Sequence, residues 1–115
     1  MSTEKGRKAE DKAARYLALR GYHIIKRNAR LARGEIDIVA LKKDILAFVE
    51  VKLRPTQHAG LLAVTRDKQE RLRSAASAWL ACHAEHHRLQ CRFDLIILTP
   101  GRLCARIEHL QDVFR

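Results

Sequence analysis

Three charged side chains interrupt two apolar runs of the chain, GEIDIVAL and ILAFVEVKL. Asp37 lies in the first run, and Glu50 and Lys52 lie in the second. Because side chains alternate between the faces of a β-strand, Glu50 and Lys52 share one face of their strand. Strands that build a core rarely carry carboxylates, so these three residues are the first candidates for chemistry.

The polar step between the two runs predicts a β-hairpin. A two-residue loop at Lys43–Asp44 is the simplest connection, although it lacks the Gly that a type I′ turn prefers. Continuing the resulting register sets Asp37 opposite Glu50, with their Cβ atoms about 4.5–5.5 Å apart. The same register sets Glu35 opposite Lys52.

Two facing carboxylates repel each other unless a positive charge lies between them. A hard divalent ion such as Mg²⁺ binds carboxylate oxygens and keeps several waters. Beside such an ion, Lys52 is suited to orient a water nucleophile or to offset the charge of a phosphorane. Asp37 followed by Glu50-x-Lys52 therefore indicates a site for phosphodiester hydrolysis.

An alternative is that these charges form the polar outer face of an amphipathic hairpin, with Glu35 and Lys52 as a cross-strand ion pair. Two features favour a site. The second run is mostly apolar, as expected of a strand covered on both faces. The helices also carry polar residues on the stripes that should face the sheet: Glu10 lies three residues before Ala13, and Gln69 lies on or beside the stripe of Trp79.

The length of 115 residues fits one domain, residues 1–115. The 23 Lys and Arg against 13 Asp and Glu give a net charge of +10, which favours polyanionic partners, most often nucleic acid. No apolar run approaches the roughly 20 residues that span a bilayer, so no membrane association is expected. The charged start MSTEKGRKAED lacks a secretory apolar stretch, and the 3 cysteines have no close pairs. A reducing, cytoplasmic location is therefore expected.

Apolar periodicity and turn residues predict two helices and five strands. The helices are expected over Thr3–Arg20, ended by Gly21, and over Thr65–His86, with Thr65 as N-cap. The strands are expected over Tyr22–Arg30, Glu35–Leu41, Ile45–Leu53, Cys91–Leu98 and Leu103–Leu110. Arg54–Gly60 is expected to be a connection. The order α-β-β-β-α-β-β predicts a mixed α/β domain with one sheet and helices against it.

Asp37 and the Glu50–Lys52 tripeptide resemble the PD-(D/E)XK motif of nucleases with the restriction-endonuclease-like fold. From Gly6 to about Leu98, the chain also resembles the YraN family of uncharacterised bacterial proteins. The matching segments are GRKAEDKAARYL, RNAR, GEIDIVA, FVEVKLR, KQERLRSAASAWL and RFDLIIL. That family is thought to be distantly related to archaeal Holliday junction resolvases. The resemblance implies a single mixed β-sheet flanked by helices and an endonuclease activity.

The resemblance also implies a metal site. Asp37 and Glu50 would hold Mg²⁺ or Mn²⁺, and the backbone carbonyl of Val51 would be an additional ligand. Glu10 matches an acidic residue that joins the metal shell in resolvase-like proteins. One departure is Ile36, which stands where the motif has Pro before its Asp, although that Pro is commonly missing in the superfamily.

The remaining roles come from the same resemblance or from charge. Lys52 would be the catalytic lysine, and Gln69 matches a helix glutamine that supports the site, assisted by Lys68. Basic residues near the motif are candidates for a phosphate-binding rim, and each is equally consistent with plain surface charge. These are Arg27, Arg30, Arg33, Arg54, Arg66, Arg71 and Arg73, with Lys68.

Three weaker signals have structural alternatives. His83, His86 and His87 have helical spacing near two cysteines, but the spacing is no strong match to a four-ligand zinc site and also suits a solvated helix C-terminus. Trp79 lies on an apolar stripe, which predicts a core position over a base-stacking one. Asp94 alternates with apolar residues and is expected to cap the sheet edge or, as the minor alternative, to support the site.

The sequence therefore predicts a metal-dependent endonuclease acting on DNA. Branched or structured DNA and a homodimer are expected only by analogy with resolvases. Two alternatives stay open: a non-catalytic nucleic-acid-binding accessory protein with the same fold, and an interaction protein whose basic face meets another acidic partner.

Overall fold

The computed structural model describes residues 4–31 and 33–115, which form a five-stranded sheet with helices on its two faces. The helices are α1 (Glu4–Leu19), α2 (Gln57–Leu62) and α3 (Arg66–Ala81). The strands are β1 (His23–Leu31), β2 (Gly34–Lys42), β3 (Ile45–Leu53), β4 (Gln90–Thr99) and β5 (Arg106–Phe114). The spatial order is β1-β2-β3-β4-β5, with β3 and β4 parallel and the other neighbours antiparallel. The mixed α/β class is confirmed, and within these residues no helix is long and apolar enough to cross a membrane.

The second long helix ends earlier than expected. The sequence pattern predicts it to continue to His86, but α3 ends at Ala81. Ring nitrogens of His83 and His87 lie 2.7 and 2.6 Å from the backbone carbonyl oxygens of Trp79 and Leu80. Since the last carbonyls of a helix lack partners within the helix, these two contacts satisfy them and stabilise the end.

Three further boundaries can be compared with the expectation. The expected connection Arg54–Gly60 contains the start of α2, which Thr56 caps. Thr65 caps α3 as predicted, its hydroxyl accepting the N–H of Lys68 at 3.2 Å. β5 begins at Arg106, later than predicted. The expected helix start at Thr3 lies outside the described residues.

The central strand β3 is covered on both faces. On one face Val49 packs with Ala13 and Leu17 of α1. On the other face Phe48 packs with Trp79 of α3, their ring centroids 6.0 Å apart in an edge-to-face arrangement. This two-sided burial explains why the run is almost continuously apolar, and it means that a charged side chain in β3 is held away from bulk water.

Asp94 forms a buried polar network at the α1 face of β4. Its carboxylate accepts two hydrogen bonds of 2.8 Å from the Arg92 guanidinium, one of 2.8 Å shared with His109 Nε2, and one of 3.1 Å from the N–H of Asp112. Arg92 also donates to the hydroxyl of Tyr22. Burial alone would raise the pKa of Asp94, but the bonds from His109 and Arg92 outweigh it and hold that pKa below its usual value. The network therefore joins β4, β5 and the start of β1 as a structural unit.

Replacing Asp94 by Ala should strongly destabilise the fold, because it leaves the largely buried Arg92 guanidinium without its carboxylate. Breaking one side of a buried pair costs about 3–5 kcal/mol. Urea denaturation of Asp94→Ala should show this loss in the free energy of unfolding, while Asp67→Ala at the exposed start of α3 should lower it by about 1 kcal/mol or less. Equal losses in the two variants would contradict the structural role of the network.

Candidate active site

A cleft of about 450 Å³ opens between α1, β3 and the start of α3. Most of the side chains that line it are charged, which is unusual so close to the centre of a sheet. The charged lining residues are Lys5, Glu10, Asp37, Glu50, Lys52, Arg54 and Lys68. Val51 also lines the cleft. The cleft therefore gathers the candidate catalytic and metal-binding residues other than Gln69, together with Arg54 and Lys68 of the basic candidates.

The cleft exists because β2 and β3 diverge at Asp37. Their antiparallel register runs from Lys42↔Ile45, across the predicted two-residue turn, to Ile38↔Val49. One residue further, where the register sets Asp37 opposite Glu50, the Asp37 Oδ2 atom accepts the backbone N–H of Val51 at 2.8 Å. A carboxylate thus occupies the place where the β2 backbone would otherwise bind β3.

A local twist of β2 accompanies this divergence. Ile36 packs in the core on the α3 side of the sheet, whereas Ile38 packs in the core on the α1 side. Residues two apart in a regular strand face the same side, so the strand rotates at the intervening Asp37. On the neighbouring strand Asn28 has φ +53°, and it lies between the paired residues Arg27 and Ala29. The irregularity therefore extends across both strands.

Glu50 is buried and lies between two lysines. Its Oε1 atom is 3.1 Å from Lys52 Nζ and 3.4 Å from Lys68 Nζ. Its Oε2 atom is buried and has no hydrogen-bond partner among the described residues. A buried, unsatisfied carboxylate oxygen is costly, so this atom marks a position suited to a cation or a hydrogen-bond donor.

Glu35 and Lys52 do not form the cross-strand ion pair that the alternative interpretation predicts. Glu35 Oε1 lies 4.0 Å from Arg30 Nε, across the β1–β2 register, and Lys52 contacts Glu50. Because β2 and β3 diverge at Asp37, the register that would have joined Glu35 to Lys52 is not continued that far.

Asp37 has a strongly perturbed ionisation equilibrium. Burial and the neighbouring negative charge of Glu50 together raise the pKa of Asp37 to about 7, against the lowering effect of the hydrogen bond from Val51. The two carboxylates therefore resist being ionised together near neutral pH. A divalent cation would remove this resistance, so the donor set fits a hard metal ion.

Glu10 reaches the cleft from α1 but is already held by β1. It is buried, and its Oε1 atom accepts hydrogen bonds from Asn28 Nδ2 at 2.8 Å and from Arg27 Nη2 at 3.4 Å. Arg27 also binds Asp11 at 2.6 Å. The structure therefore gives Arg27 carboxylate partners within the chain, and a phosphate-binding role for Arg27 stays a prediction.

The expected three-carboxylate group is not assembled as one cluster. Among residues 4–31 and 33–115, no three His, Cys, Asp or Glu side chains are close enough to hold a metal ion together. The same finding leaves the histidine-cysteine zinc alternative without support. Asp37 and Glu50 with the Val51 carbonyl remain the candidate ligands, and a metal-binding role for Glu10 stays a prediction.

Comparison with known proteins identifies the family. A family model described as "Uncharacterised protein family UPF0102" matches residues 9–98. The chain belongs to the UPF0102 family. This confirms the expected family, whereas its wider relation to nucleases stays a prediction.

Curated UPF0102 proteins match most of the chain. A UPF0102 protein of Nitrobacter winogradskyi is 48% identical over 109 residues, covering 95% of this chain and 90% of the relative. One from Rhodopseudomonas palustris is 47% identical over 98 residues, covering 85% and 75%. One from Rhizobium etli is 44% identical over 110 residues, covering 96% and 88%. The chain is thus similar to these proteins over nearly its whole length.

Two residues of this UPF0102 chain lie elsewhere than expected. The side-chain amide of Gln69 donates to the carbonyl of Val64 at 3.3 Å, and Gln69 is not among the residues lining the cleft. Arg73 donates to the carbonyl of Arg115 at 2.8 Å, at the end of β5. Periodicity places both on α3 but does not reveal the local acceptors that hold them.

Two residues of the cleft and its support were missed. Lys5 lines the cleft and stands four residues before Ala9, on the continuation of the apolar α1 stripe, so periodicity could have found it. Asn28 supports Glu10 from a left-handed backbone conformation that Asn tolerates better than most residues. Its role depends on the strand irregularity, which the sequence pattern does not show.

The raised pKa of Asp37 predicts a pH-dependent stability of the metal-free protein. Between about pH 4 and 7 the native state retains a proton on Asp37 that the unfolded chain has released. The contribution of Asp37 to the free energy of unfolding is therefore present in full below about pH 4 and is lost as the pH rises through about 7. Asp37→Asn stays neutral and still offers an oxygen to the N–H of Val51. The difference in free energy of unfolding between Asp37→Asn and the wild type should therefore shift in favour of the variant as the pH rises, by at most about 4 kcal/mol.

Urea denaturation between pH 5 and 8 in EDTA measures this difference. Asp44→Asn, in the exposed hairpin turn, is the matched control and should follow the wild-type pH profile. Parallel profiles for the wild type and Asp37→Asn would show that Asp37 has an ordinary pKa.

Proposed function

We propose that this UPF0102 protein is a metal-dependent nuclease that hydrolyses DNA phosphodiester bonds. One arrangement carries the proposal: Asp37, Glu50 and Lys52 meet in one cleft, and the Glu50 carboxylate has a buried oxygen without a hydrogen-bond partner among the described residues. Carboxylates on adjacent strands beside a lysine suit metal-assisted phosphodiester hydrolysis. The net charge of +10 suits a polyanionic substrate.

Asp37, Glu50 and the Val51 carbonyl are the residues that would hold Mg²⁺ or Mn²⁺. When bound, such an ion supplies positive charge to the phosphate oxygens and lowers the pKa of a bound water. The hydrogen bond from the Val51 N–H fixes the orientation of Asp37 in advance. The ligand carboxylates are therefore preorganised by the strands themselves.

Lys52 is the proposed catalytic lysine. Its Nζ atom is 3.1 Å from Glu50 Oε1 and lies in the same cleft as both carboxylates. From there it is positioned to hold the attacking water or to offset the negative charge that develops on the phosphate. Lys68 approaches Glu50 from α3 at 3.4 Å and adds a second positive charge.

The setting proposed for this activity is the cytoplasm. Branched or structured DNA as substrate and a homodimer as the active assembly are proposed by analogy with resolvases. Activity against each class of DNA decides the substrate, because the cleft residues described so far would act on any phosphodiester.

A second candidate is a nucleic-acid-binding protein without cleavage activity. The observation that favours it is the pair of lysines on Glu50, since they offset its charge without any added cation. In that case Asp37, Glu50 and Lys52 would stabilise the diverging strands, and the basic surface alone would carry the function.

Cleavage of junction, flap, single-stranded and duplex DNA in Mg²⁺ or Mn²⁺ tests the nuclease. Lys52→Ala and Asp37→Asn should each lower kcat by roughly a hundredfold or more, because each removes a group that acts on the reacting phosphate or on its metal. Lys26→Ala, an exposed lysine of β1, is the charge-matched control and should retain activity.

Binding measurements separate the two candidates. Salt-sensitive binding of DNA without cleavage in either metal would support the non-catalytic protein. A metal-binding readout that needs no activity is the melting temperature: Mn²⁺ should raise it for the wild type and not for Asp37→Asn. Equal shifts in both proteins would contradict the proposed metal ligands.

A further inference from the structure

A second cleft, of about 490 Å³, adjoins the first one. It lies between the β1–β2 turn and α3, and we call it the arginine cleft. Among the described residues that line it, four are basic and one is acidic. These are Arg30, Arg33, Lys68 and Arg71, with Glu35. Such an excess of guanidinium groups around a concave surface favours an anion with several oxygen acceptors, as a phosphodiester has.

The walls of the arginine cleft are fixed by backbone packing. A Cβ atom on Gly34 would lie 2.6 Å from the carbonyl oxygen of Arg71, closer than real Cβ atoms approach. The start of β2 therefore lies directly against α3, and this contact requires glycine at position 34. Leu31 and Leu72 add apolar side chains to the lining. The cleft is thus a preformed concavity between two packed elements.

Two of its arginines lie near carboxylates of their own elements or of the neighbouring strand. Arg71 Nε lies 3.2 Å from Asp67 across one turn of α3, and Arg30 Nε lies 4.0 Å from Glu35 across the strands. These contacts engage one nitrogen of a group that carries five N–H donors. They therefore leave donors of each guanidinium available to a ligand.

Lys68 joins the arginine cleft to the candidate active site. It lines both clefts, and its Nζ atom is 3.4 Å from Glu50 Oε1. A ligand that fills both clefts must therefore extend past Lys68. Such a ligand is expected to carry negative charge on both sides of this lysine. A nucleic-acid strand has this form, because it carries one phosphate per nucleotide.

We propose that the arginine cleft binds a phosphate of the substrate strand close to the phosphate that is cleaved. Arg33 and Arg71 hold this flanking phosphate, and Lys68 lies between it and the metal-binding carboxylates. This proposal rests on the proposed nuclease function. It adds a fixed direction for the bound nucleic-acid strand, which would run from α1 across β3 to the β1–β2 turn. A free phosphate ion would satisfy the same donors, so the test must distinguish it from a phosphate within a strand.

A methylphosphonate scan tests the position of the bound phosphate. Substrates are made in which a neutral methylphosphonate replaces one phosphate at a time on either side of the mapped cleavage position. For the wild type, one position within a few nucleotides of the cut should raise KM roughly tenfold or more, with kcat little changed, because a charge-assisted contact is lost. In Arg33→Ala and Arg71→Ala the same substitution should raise KM by a smaller factor than in the wild type, since one of the two arginine partners is already missing.

Arg88→Ala is the matched control, because Arg88 is exposed and lines neither cleft. It should behave as the wild type at every position of the scan. Melting temperatures close to that of the wild type check that the exposed Arg33 and Arg71 can be replaced without unfolding. A wild type that cleaves DNA while Arg33→Ala and Arg71→Ala show unchanged KM and an unchanged scan would overturn the arginine cleft and leave the nuclease standing.

Binding in EDTA decides the case in which no DNA is cleaved. The logarithm of the binding constant falls with the logarithm of salt concentration by about one unit for each phosphate contact. Arg33→Ala and Arg71→Ala should each lower this slope by about one, and Arg88→Ala should not. Lower slopes without cleavage would support a phosphate site in a protein that is no nuclease. Unchanged slopes, or competition by millimolar inorganic phosphate as effective as that by an oligonucleotide, would overturn the proposed strand contact.

Discussion

The hydrogen bond from the Val51 N–H to the Asp37 carboxylate is the contact on which the candidate site depends. At 2.8 Å it occupies a position where two antiparallel strands would otherwise bind each other through their backbones. Because a side chain takes that place, β2 and β3 separate and the β2 strand turns, so that Ile36 and Ile38 enter opposite cores. The opening is the cleft, and the group that creates it is also a proposed ligand. The same hydrogen bond therefore shapes the sheet and opens the candidate site.

Burial of β3 on both faces sets the electrostatics of this opening. Packing against α1 and α3 removes water from Glu50, and burial together with the charge of Glu50 raises the pKa of Asp37 to about 7. Two lysines stabilise the charge of Glu50 at its Oε1 atom, while its Oε2 atom stays without a partner among the described residues. Buried carboxylates in ion pairs seldom keep one oxygen without a partner, and a cleft carboxylate with a perturbed pKa, such as Asp37, is typical of functional sites.

Much of this arrangement could be predicted from local pattern. Alternation along the strands and a two-residue turn were sufficient to predict the register up to Ile38 opposite Val49, where the strands diverge, and the apolar run predicted a covered strand. Contacts that depend on a local distortion of a strand could not be predicted from the sequence. Arg27 lies near the motif in sequence, yet it binds Glu10 and Asp11 because β1 is distorted at Asn28. The buried network of Asp94 could not be deduced either, since its partners come from strands that are distant in the chain.

The position of Lys68 has a consequence for how the two clefts depend on each other. The Lys68 ammonium group is near the Glu50 carboxylate and also lines the arginine cleft. When it moves toward an anion in the arginine cleft, its attraction to Glu50 therefore becomes weaker. An anion that draws Lys68 toward itself leaves Glu50 more negative and therefore a better ligand for a cation. By thermodynamic linkage the reverse is equally true, so a cation on Glu50 strengthens anion binding by the same factor. Through this one side chain, the proposed cation and anion sites would bind cooperatively without any movement of the backbone.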